Sequence, residues 1–476
     1  MNSPHAPTGT HDFVVVANRL PVDLTIDNLG ASTWSPSPGG LVSALSPILS
    51  KHSGCWVGWP GAIAEKLEPF HTDNGILLHP VELTRVDYEN FYEGFSNATL
   101  WPLYHDLIVS PEYRYDWWQS YHAVNVKFAE EAASVAAPGA TVWVQDYQLQ
   151  LVPGLLRELR PDLTIGLFLH IPFPAPDLFR QLPWRTDILA GMLGADLIGF
   201  HLISNAQNFL DIVDRYHPER VSGSVKVRQP NATIHTDDDR VVKVAAFPIS
   251  IDPEPFVSAH VDRTRVRREM GNPETLILGV DRLDYTKGIL QRLEALESLL
   301  EEGLIDHRTS FVQIATPSRE RIDHYQATRS KVEEAVGRIN GRFGALGKPV
   351  VSYHHASLSK ERLIELYSAA DIMLVTPFKD GMNLVAKEYV ACHGDGSGAL
   401  VLSEFAGAAT ELVDAYLCNP FDSESIKAEI HNAMMALATQ PEIPQKRMLT
   451  MYQQVITHDV DLWARSYLDA LKESSR

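Results

Sequence analysis

The chain has 476 residues, of which 45% are hydrophobic and 21% are charged. This apolar content excludes a disordered chain, and the length predicts two domains because a single core rarely grows that large. The 41 basic and 60 acidic side chains give a net charge of -19, which argues against nucleic acid and anionic membrane surfaces as partners.

A secretory signal, a membrane-spanning run and a cysteine-based metal motif are all missing from the sequence. The first residues, MNSPHAPTGTHD, lack the basic and apolar stretches of a secretory signal, and the most apolar run, 188–203, is too interrupted by polar residues to span a bilayer. Cys55, Cys392 and Cys418 lie far apart, so their spacing predicts neither a disulfide framework nor a metal centre. We therefore expect a cytoplasmic protein that holds no metal and contacts no membrane.

Strand-like apolar runs alternate with helix-like stretches through the first half of the chain. Helical periodicity covers residues 116–135 and 203–216. The strand-like runs are residues 13–17, 141–144, 164–169, 195–200 and 241–246. Nearly continuous apolar strands separated by helices predict a parallel sheet that is covered on both faces.

The polar segment 222–240 interrupts this pattern and contains three consecutive aspartates, Asp237 to Asp239. A metal-binding aspartate motif and a solvated hairpin turn both fit these residues. The hairpin turn is the favoured interpretation, because charge runs usually lie on solvated surfaces.

The alternation restarts in the second half, after the proline-rich stretch 248–255, which has the composition of a stiff linker. The strand-like runs here are residues 275–280, 310–315, 350–353, 371–375 and 399–402. The sequence thus predicts an α/β fold of two Rossmann-like, doubly wound domains, residues 1–250 and 251–458, facing across a cleft. The C-terminal helix, 459–476, is a candidate for packing back on the first domain.

In such sheets, ligands bind beyond the carboxyl ends of the strands, so functional residues are expected there. Six predicted loops place a charged side chain or an imidazole just after a buried strand, and this repetition is hard to ascribe to chance. These side chains are Arg19, Asp146, His170, Arg282 with Lys287, Arg319 and Asp380.

Arg282 and Lys287 are the most informative pair among these side chains. They lie at a strand end and at a helix start, where free N–H groups and the helix dipole favour anions. A guanidinium and an ammonium there predict a site for a diphosphate. The alternative is surface ion pairing with Asp281 or Asp284.

Two further segments are suited to close contact with a ligand. Asp380-Gly-Met-Asn383 leads into a helix, so its N–H groups could hold phosphate or sugar oxygens, and Asp380 could accept hydrogen bonds from sugar hydroxyls. Glu388 could bind a ribose diol, or it could be a surface partner within the helix. Gly39 and Gly40 allow a close backbone approach, although such pairs also form plain turns. No G-x-G-x-x-G follows the first strand, which argues against a nicotinamide enzyme.

The motifs ANRLP, SPGGL, LWPLYHD, FLHIPFP, DRLDYTKG, GRINGRFG and TPFKDGMNLVAKEYVA occur in order from Phe13 to beyond Pro420. In these segments the chain resembles the retaining trehalose-6-phosphate synthases. The resemblance implies a GT-B fold and transfer of glucose, with retention, to glucose 6-phosphate. UDP-glucose is the implied donor, with ADP-glucose as the other possibility. It further implies no tightly bound cofactor and a homo-oligomer, with a homotetramer as the family form.

The resemblance also implies roles for individual residues. The acceptor would be held by Arg19, Tyr92, Trp101, Asp146 and Arg319, with both arginines on its phosphate. Gly39 and Gly40 would approach the donor diphosphate, Arg282 and Lys287 would neutralise it, and Leu358 would meet the base through its backbone. Leu384, Val385, Ala386, Lys387 and Glu388 would bind the donor phosphate and ribose, and Asp380 and His170 would contact the transferred glucose. In the family, histidines commonly flank the aspartate of the acceptor loop; here Gln145 and Gln148 lie beside Asp146.

Two other functions compete with this interpretation. A related retaining enzyme, such as a glucosylglycerol-phosphate synthase, would also use the two arginines, because they require only a phosphate; the aromatic residues Tyr92 and Trp101 favour a hexose. A catalytically silent regulatory homologue is disfavoured because the chain carries the full set of Arg282, Lys287, Asp380 and Glu388. The resemblance implies a same-face substitution in which a leaving phosphate oxygen takes the acceptor's proton.

Overall fold

The computed structural model describes residues 9–26, 32–36, 45, 54–63, 67–72, 75–216 and 220–474. The chain divides into two compact units. The first unit is Met1–Ile249 together with Val460–Arg476, and the second is Ser250–Asp459. Within the described ranges, no helix is both long enough and apolar enough to cross a membrane.

The first unit contains a ten-stranded sheet and a separate two-stranded antiparallel sheet, which is formed by β2 and β3. Its strands are β1 (His11–Arg19), β2 (Val22–Ile26), β3 (Ser32–Pro36), β4 (Cys55–Trp59), β5 (Phe70–His71), β6 (Leu77–Pro80), β7 (Ala136–Gln145), β8 (Thr164–Phe168), β9 (Leu197–Phe200), β10 (Val221–Ser222), β11 (Ala232–His235) and β12 (Val241–Ala246).

Seven strands of this sheet run parallel, in the order β6-β4-β1-β7-β8-β9-β12. After β1, the strands β4 and β6 extend the sheet on one side of β1. From β7 onward, the later parallel strands extend it on the other side. The topological switch point therefore lies between β1 and β7, where Val16 is in register with Val144. Arg19 is the last residue of β1, and Asp146 directly follows β7. Both residues therefore lie at the edge of the sheet where ligands bind in such folds.

Helices connect the parallel strands of the first unit. They are α1 (Arg85–Asp87), a π-helix (Tyr88–Leu100), α2 (Trp101–Tyr104), α3 (Tyr115–Val135), α4 (Val152–Leu159), α5 (Pro176–Phe179), α6 (Arg185–Met192) and α7 (Ile203–Tyr216). The long helix α3 agrees with the predicted range 116–135 to within one residue. The π-helix was not foreseen, because the predicted periodicity assumed ordinary α-helical spacing.

The predicted hairpin in 222–240 is confirmed. Strands β11 and β12 pair antiparallel, with Ala232 opposite Val244. Two of the three aspartates in the turn form ion pairs with arginines, Asp237 with Arg220 and Asp238 with Arg240. These acidic side chains thus have cationic side-chain partners within the hairpin region.

The second unit contains a six-stranded, all-parallel sheet in the order β15-β14-β13-β16-β17-β18. Its strands are β13 (Thr275–Arg282), β14 (Thr309–Thr316), β15 (Val351–His354), β16 (Ile372–Val375), β17 (Ala399–Ser403) and β18 (Tyr416–Cys418). This is the 3-2-1-4-5-6 order of a dinucleotide-binding sheet, and its switch point lies between β13 and β16.

The helices of the second unit cover this sheet. They are α8 (Glu254–Val257), α9 (Arg263–Glu269), α10 (Ile289–Glu301), α11 (Asp323–Phe343), α12 (Lys360–Ala369), α13 (Leu384–Ala391), α14 (Ser423–Thr439) and α15 (Glu442–Thr457). In α10, Ile289, Leu293, Leu296 and Leu300 recur at helical spacing and pack into the core with β13 and β14. That packing fixes the start of α10 close to the end of β13.

The last helix, α16 (Val460–Ser474), packs on the sheet of the first unit. Trp463, Tyr467 and Leu471 form its buried stripe, and the Tyr467 ring stacks on Trp143 of β7 with centroids 4.7 Å apart. A Cβ on Gly166 of β8 would lie 2.6 Å from the Tyr467 hydroxyl oxygen. Glycine at position 166 therefore gives the helix room to approach the sheet.

Candidate functional site

The switch point of the second unit brings the predicted diphosphate cations together. Arg282 ends β13, Lys287 closes the 3₁₀ turn Tyr285–Lys287, and Asp380 lies in the loop after β16. The Lys287 Nζ donates to Asp380 Oδ2 at 2.6 Å, and the two side chains are only 10% and 15% exposed. The loops from two neighbouring strands thus meet in a partly buried ion pair, and the lysine ammonium, which has three donors, uses one of them for it.

Asp284 is the buried centre of this cluster. Its Oδ2 lies 3.6 Å from Arg319 Nη1 and 3.9 Å from Arg282 Nη2. Burial by itself would raise the pKa of Asp284, but the charges of Arg319, Arg282 and Lys287 outweigh it and lower that pKa to about 2. The carboxylate is therefore ionised at neutral pH, close to Arg319 and Arg282 and within the field of the Lys287 ammonium.

The register of the sheet explains why Arg319 belongs to this cluster. Arg282 of β13 is directly opposite Thr316 of β14, so the loops after both strands start at the same level. Arg319 has a left-handed backbone conformation, with φ of 50°, and its Nη1 donates to the Tyr325 hydroxyl at 2.5 Å. The Tyr325 hydroxyl in turn donates to Asp284 Oδ2 at 3.1 Å. Tyr325 and Asp284 therefore position Arg319, and the sequence analysis assigned a functional role to neither.

The alternative considered from the sequence, an ion pair of Arg282 with Asp281 or Asp284, is present with Asp284 at 3.9 Å, although not as a pair of two surface groups. Asp281 and Asp284 are both buried. Asp281 is engaged by Arg292 of α10, with its Oδ2 2.7 Å from Arg292 Nη1. The two aspartates of the DRLD motif thus point into the protein, and Arg282, whose side chain is 43% exposed, lies between them in the sequence.

Arg292 is a second positioning residue that the sequence analysis missed. Its guanidinium is fully buried and contacts Asp281, Gln313 and Thr376, and its Nη2 donates to the Lys287 carbonyl oxygen at 2.9 Å. One side chain therefore ties the loop that carries Lys287 to β13, β14 and the end of β16. In the sequence it is a single charge in an amphipathic helix, three residues after Ile289 and four before Leu296.

Gly288 allows the chain to turn sharply from Lys287 into α10. Its φ is 64°, and a Cβ at this position would lie 2.2 Å from the Thr376 carbonyl oxygen. Any other residue would be strained and would clash with the backbone after β16. The glycine thus lets the loop with Lys287 and the loop with Asp380 come into contact.

The loop 380–383 is organised around Asp380. Asn383, in a left-handed conformation with φ of 77°, donates from Nδ2 to Asp380 Oδ2 at 3.2 Å and caps α13 by accepting from the Ala386 N–H. Asp380 Oδ1 accepts from the Met382 N–H at 3.3 Å. Asp380 is therefore a partner of Lys287 and of its own loop, a role beyond the predicted contact with sugar hydroxyls.

Two predicted donor-binding residues of helix α13, Lys387 and Glu388, have different side-chain partners. Lys387 is buried and its Nζ donates to Glu411 Oε2 at 2.6 Å, so its charge is neutralised within the unit. Glu388 accepts from the Tyr367 hydroxyl at 3.0 Å, and burial raises the pKa of its carboxyl group. Glu388 is thus bonded to another helix, and the alternative of a surface partner within α13 is wrong.

The other predicted donor-binding residues are less distinctive. Leu358 lies half-buried in the loop between β15 and α12, Leu384 and Val385 are half-buried at the start of α13, and Ala386 is buried. Gly39 and Gly40 lie outside the described residues.

In the first unit, Arg19 lies at the end of β1 among aromatic and acidic groups. Its guanidinium carbon is 4.8 Å from the centre of the Trp59 ring, and it forms an ion pair with Asp23. Tyr92 of the π-helix has its ring centroid 6.4 Å from that of Trp59. Two of the predicted acceptor residues, Arg19 and Tyr92, thus meet on Trp59, which the sequence analysis did not identify.

Asp146 joins the next group of predicted residues. It follows β7 with φ of 69°, and its Oδ1 accepts from the backbone N–H groups of Tyr147 at 3.0 Å and His170 at 3.1 Å. Trp101 is buried, stacked on His105 and 5.8 Å from the Tyr147 ring. Asp146 therefore fixes the backbone at the start of the His170 loop, beside a buried aromatic cluster.

His170 is held as a neutral ring. Burial, reinforced by the nearby His201, lowers its pKa well below 6.5. Its Nε2 lies 2.9 Å from Gln145 Oε1. A neutral imidazole donates through one nitrogen only, so Nε2–H donates to Gln145 and Nδ1 is left as the acceptor. Through this contact Gln145 fixes the tautomer of His170.

This arrangement predicts the behaviour of His170 with pH. In NMR spectra of the full chain, the His170 ring signals should keep neutral-form shifts as the pH falls through 6.5. Gln145→Glu should move that titration to higher pH, because a buried carboxylate favours the imidazolium. The His170→Gln variant assigns the signals. A native titration at or above pH 6.5 would contradict the assigned environment.

The sequence pattern of glycosyltransferase family 20 matches residues 11–473. The trehalose-6-phosphate synthase of Mycobacterium avium strain 104 is 55% identical over 482 residues, covering 98% of this chain and 97% of that protein. That of Mycolicibacterium smegmatis is 55% identical over 472 residues, covering 98% and 93%.

The fold is also similar to those of solved trehalose-6-phosphate synthases. An α,α-trehalose-6-phosphate synthase from Burkholderia multivorans superposes with a TM-score of 0.86 at 34% identity, covering 98% of this chain and 97% of that one. A Burkholderia xenovorans enzyme in complex with glucose 6-phosphate has a TM-score of 0.85 at 32% identity, with coverage of 97% and 99%. An E. coli protein bound with UDP-2-fluoro glucose has a TM-score of 0.85 at 31% identity, with coverage of 97% and 98%.

Proposed function

The chain belongs to glycosyltransferase family 20, and we propose that it transfers glucose from UDP-glucose to glucose 6-phosphate with retention. It has the GT-B fold of two Rossmann-like domains, and it is a glycosyltransferase that forms α,α-trehalose 6-phosphate. The choice of donor and the roles of individual residues are the proposed part. The observation that carries them is the cationic cluster of Arg282, Lys287 and Arg319 around Asp284.

The donor is proposed to bind at the switch point of the second unit. Rupture of the bond at the anomeric carbon leaves negative charge on the departing nucleoside diphosphate and positive character on the glucose ring. Arg282 and Lys287 stabilise that negative charge from fixed positions, because Asp284, Arg292 and Asp380 hold them before the reaction begins. The E. coli relative bound with a UDP-sugar analogue supports a uridine nucleotide. ADP-glucose is the competing donor.

The acceptor is proposed to be bound through its phosphate by Arg19 and Arg319 and through its sugar by Tyr92, Trp101 and Asp146. The relative in complex with glucose 6-phosphate supports this acceptor. The aromatic surroundings of Arg19, formed by Trp59 and Tyr92, suit a hexose better than the small glycerol 3-phosphate. His170 and Asp380 are proposed to contact the transferred glucose. A leaving phosphate oxygen takes the proton of the acceptor hydroxyl as the new glycosidic bond forms on the same face.

The role of Arg19 can be tested by substitution. Arg19→Gln should raise KM for glucose 6-phosphate about 10- to 100-fold, the scale of a lost hydrogen bond to a charged group, with a smaller change in kcat. Arg85→Gln is the matched control, because Arg85 is an exposed arginine of the same unit. Steady-state kinetics with varied acceptor measures both, and an unchanged KM in Arg19→Gln would remove Arg19 from the acceptor site.

The proposed reaction is tested by incubating the full chain with UDP-glucose and glucose 6-phosphate. We expect release of UDP in step with a phosphorylated disaccharide whose two anomeric protons both show α coupling in NMR. Parallel incubations with ADP-glucose, GDP-glucose and glycerol 3-phosphate establish the donor base and the acceptor. Faster transfer to glycerol 3-phosphate, or from another nucleotide, would overturn that part of the proposal, and no transfer from any donor would overturn the whole.

We also propose that the enzyme acts in the cytoplasm as a homo-oligomer, with the tetramer as the expected form by family resemblance. Sedimentation velocity of the purified chain measures this directly. A single monomeric species of about the 53.1 kDa chain mass at working concentration would contradict the proposed assembly.

A further inference from the structure

Three metal-ligating side chains lie together on neighbouring strands of the first unit. His11 is the first residue of β1, Cys55 is the first residue of β4, and His79 lies in β6. The order β1-β4-β6 in the sheet makes these strands direct neighbours. One ligand atom from each of the three residues lies within 4.8 Å of the others. These residues are 44 and 24 positions apart in the sequence, so spacing rules could not predict that they would meet.

Cys55 and His79 both offer a possible ligand atom that is withheld from solvent. Cys55 is fully buried and forms no disulfide. Within the described part of the chain, His79 Nε2 is shielded from solvent and has no hydrogen-bond partner. A buried nitrogen without a partner is costly, and a cation would satisfy it.

The other nitrogen of His79 supports the same conclusion. His79 Nδ1 lies 3.2 Å from Glu131 Oε1, on helix α3. A carboxylate that binds the distal nitrogen of an imidazole is the usual outer partner of a metal-bound histidine, since it fixes the tautomer and the orientation of the ring. The bond to Glu131 thus leaves Nε2 as the nitrogen for a ligand.

We propose that His11, Cys55 and His79 form a binding site for a thiophilic divalent transition metal ion, of which Zn²⁺ is the natural example. The ligands are the Cys55 sulfur, His79 Nε2 and one ring nitrogen of His11, with Glu131 as the outer partner of His79. Imidazole nitrogen and thiolate sulfur are both ligand types that zinc binds, and water would complete the tetrahedron. Binding forms the metal–sulfur bond and releases the thiol proton to solvent.

The geometry requires only small movements. Tetrahedral zinc with Zn–N of about 2.0 Å and Zn–S of about 2.3 Å holds its ligand atoms roughly 3.3 to 3.7 Å apart. The three side chains need to close from separations of up to 4.8 Å, which side-chain rotations can provide. The strands themselves can keep their present register.

The proposed metal site is remote from the first unit's acceptor residues. His11 and Arg19 are the two ends of β1, and eight residues of strand span about 26 Å. The ion would therefore link three strands and α3 at one end of the sheet, and glucosyl transfer would not pass through it. We expect the metal to raise the resistance of the first unit to unfolding and to leave turnover nearly unchanged.

Titration of the purified, chelator-treated full chain with Co²⁺ tests the site, because a cobalt–thiolate bond gives a charge-transfer absorption. We expect one equivalent to bind with that absorption, and Zn²⁺ to displace it. Cys55→Ser should abolish the absorption, whereas the matched variant Cys418→Ser, at a buried free cysteine of the second unit, should retain it. Glu131→Gln should weaken binding about 10- to 100-fold, the scale of a lost outer partner.

Two further variants keep the test decisive if Cys55→Ser fails to fold. His11→Asn and His79→Gln leave the thiol intact and should each weaken Co²⁺ binding at least about 10-fold, with transfer activity retained. Absence of stoichiometric binding to the native chain would overturn the proposal. An absorption that persists in Cys55→Ser, or that disappears in Cys418→Ser, would overturn it equally.

Discussion

Lys287→Met is expected to lower kcat for glucosyl transfer about 100-fold or more, the scale of one lost donor to a developing negative charge. The charge on the diphosphate grows as the anomeric bond breaks, so the ammonium acts most strongly in the transition state. Binding of UDP should weaken by a smaller factor than kcat falls. The structure gives the reason for the size of the effect, because Lys287 is held in place by Asp380 at 2.6 Å and is mostly shielded from water.

The matched control for Lys287→Met is Lys331→Met, at an exposed lysine on helix α11 of the same unit. It removes the same charge from the same unit without touching the cluster, and kcat should stay within about twofold of the native value. Steady-state kinetics with saturating glucose 6-phosphate, together with calorimetric titration of UDP, separates turnover from binding. If Lys287→Met lost UDP affinity but retained kcat, the ammonium would serve binding alone.

Arg292→Met is expected to destabilise the second unit by about 3 to 5 kcal/mol, because it leaves the buried Asp281 carboxylate without its cation. It also removes the donor to the Lys287 carbonyl oxygen, so kcat should fall as well, although Arg292 contacts no substrate in the proposed scheme. Denaturant titration followed by circular dichroism measures the first effect, because the nine tryptophans all belong to the first unit, and transfer kinetics measures the second.

Arg338→Met provides the comparison for Arg292→Met. Arg338 pairs with Glu297 at 2.8 Å but is 44% exposed, so its removal should cost less than about 1 kcal/mol. The double variant Asp281→Asn/Arg292→Met should recover part of the lost stability, since it no longer buries an unpaired charge. Equal midpoints for Arg292→Met and Arg338→Met would contradict the assigned role of the buried pair.

The positions of Arg282 and Lys287 could be predicted from the sequence because they depend on local patterns. An apolar run that ends in a charged residue marks the carboxyl end of a buried strand, and the sheet rule then places that residue where ligands bind. The same reasoning placed Arg19, Asp146 and Asp380 at strand ends, and the structure shows β13 ending at Arg282 and β1 at Arg19. The functional roles of these residues stay predictions.

The residues that position the proposed site could not be predicted from the sequence, because their roles depend on contacts between distant segments of the chain. Arg292 lies between apolar residues of an amphipathic helix, and only the packing of α10 against β13 shows that its charge is buried. In the sequence, Asp284 resembles a surface ion-pair partner. In the structure it is buried and pairs with Arg319, which lies 35 residues later in the chain. The meeting of His11 with Cys55 and His79 is of the same kind, since only the order of strands in the sheet brings them together.

Lys387, a predicted donor-binding residue that also forms an internal ion pair, shows the same limit. The motif TPFKDGMNLVAKEYVA contains Lys387 one helical turn after Asn383, in the segment that the family resemblance assigns to the donor. The structure directs its Nζ to Glu411, which belongs to a later segment of the chain. A motif thus predicts a donor-binding helix, but the direction of each side chain is set by neighbours that the motif does not contain.

The most direct test of the proposed chemistry is the single-turnover rate of glucosyl transfer in the double variant Arg282→Met/Lys287→Met. Quenched-flow measurement with saturating UDP-glucose and glucose 6-phosphate observes bond rupture without product release. We predict a rate constant at least about 100-fold below that of the native enzyme, with affinity for glucose 6-phosphate retained. A double variant that transfers glucose at the native rate would contradict stabilisation of the leaving diphosphate by these two cations.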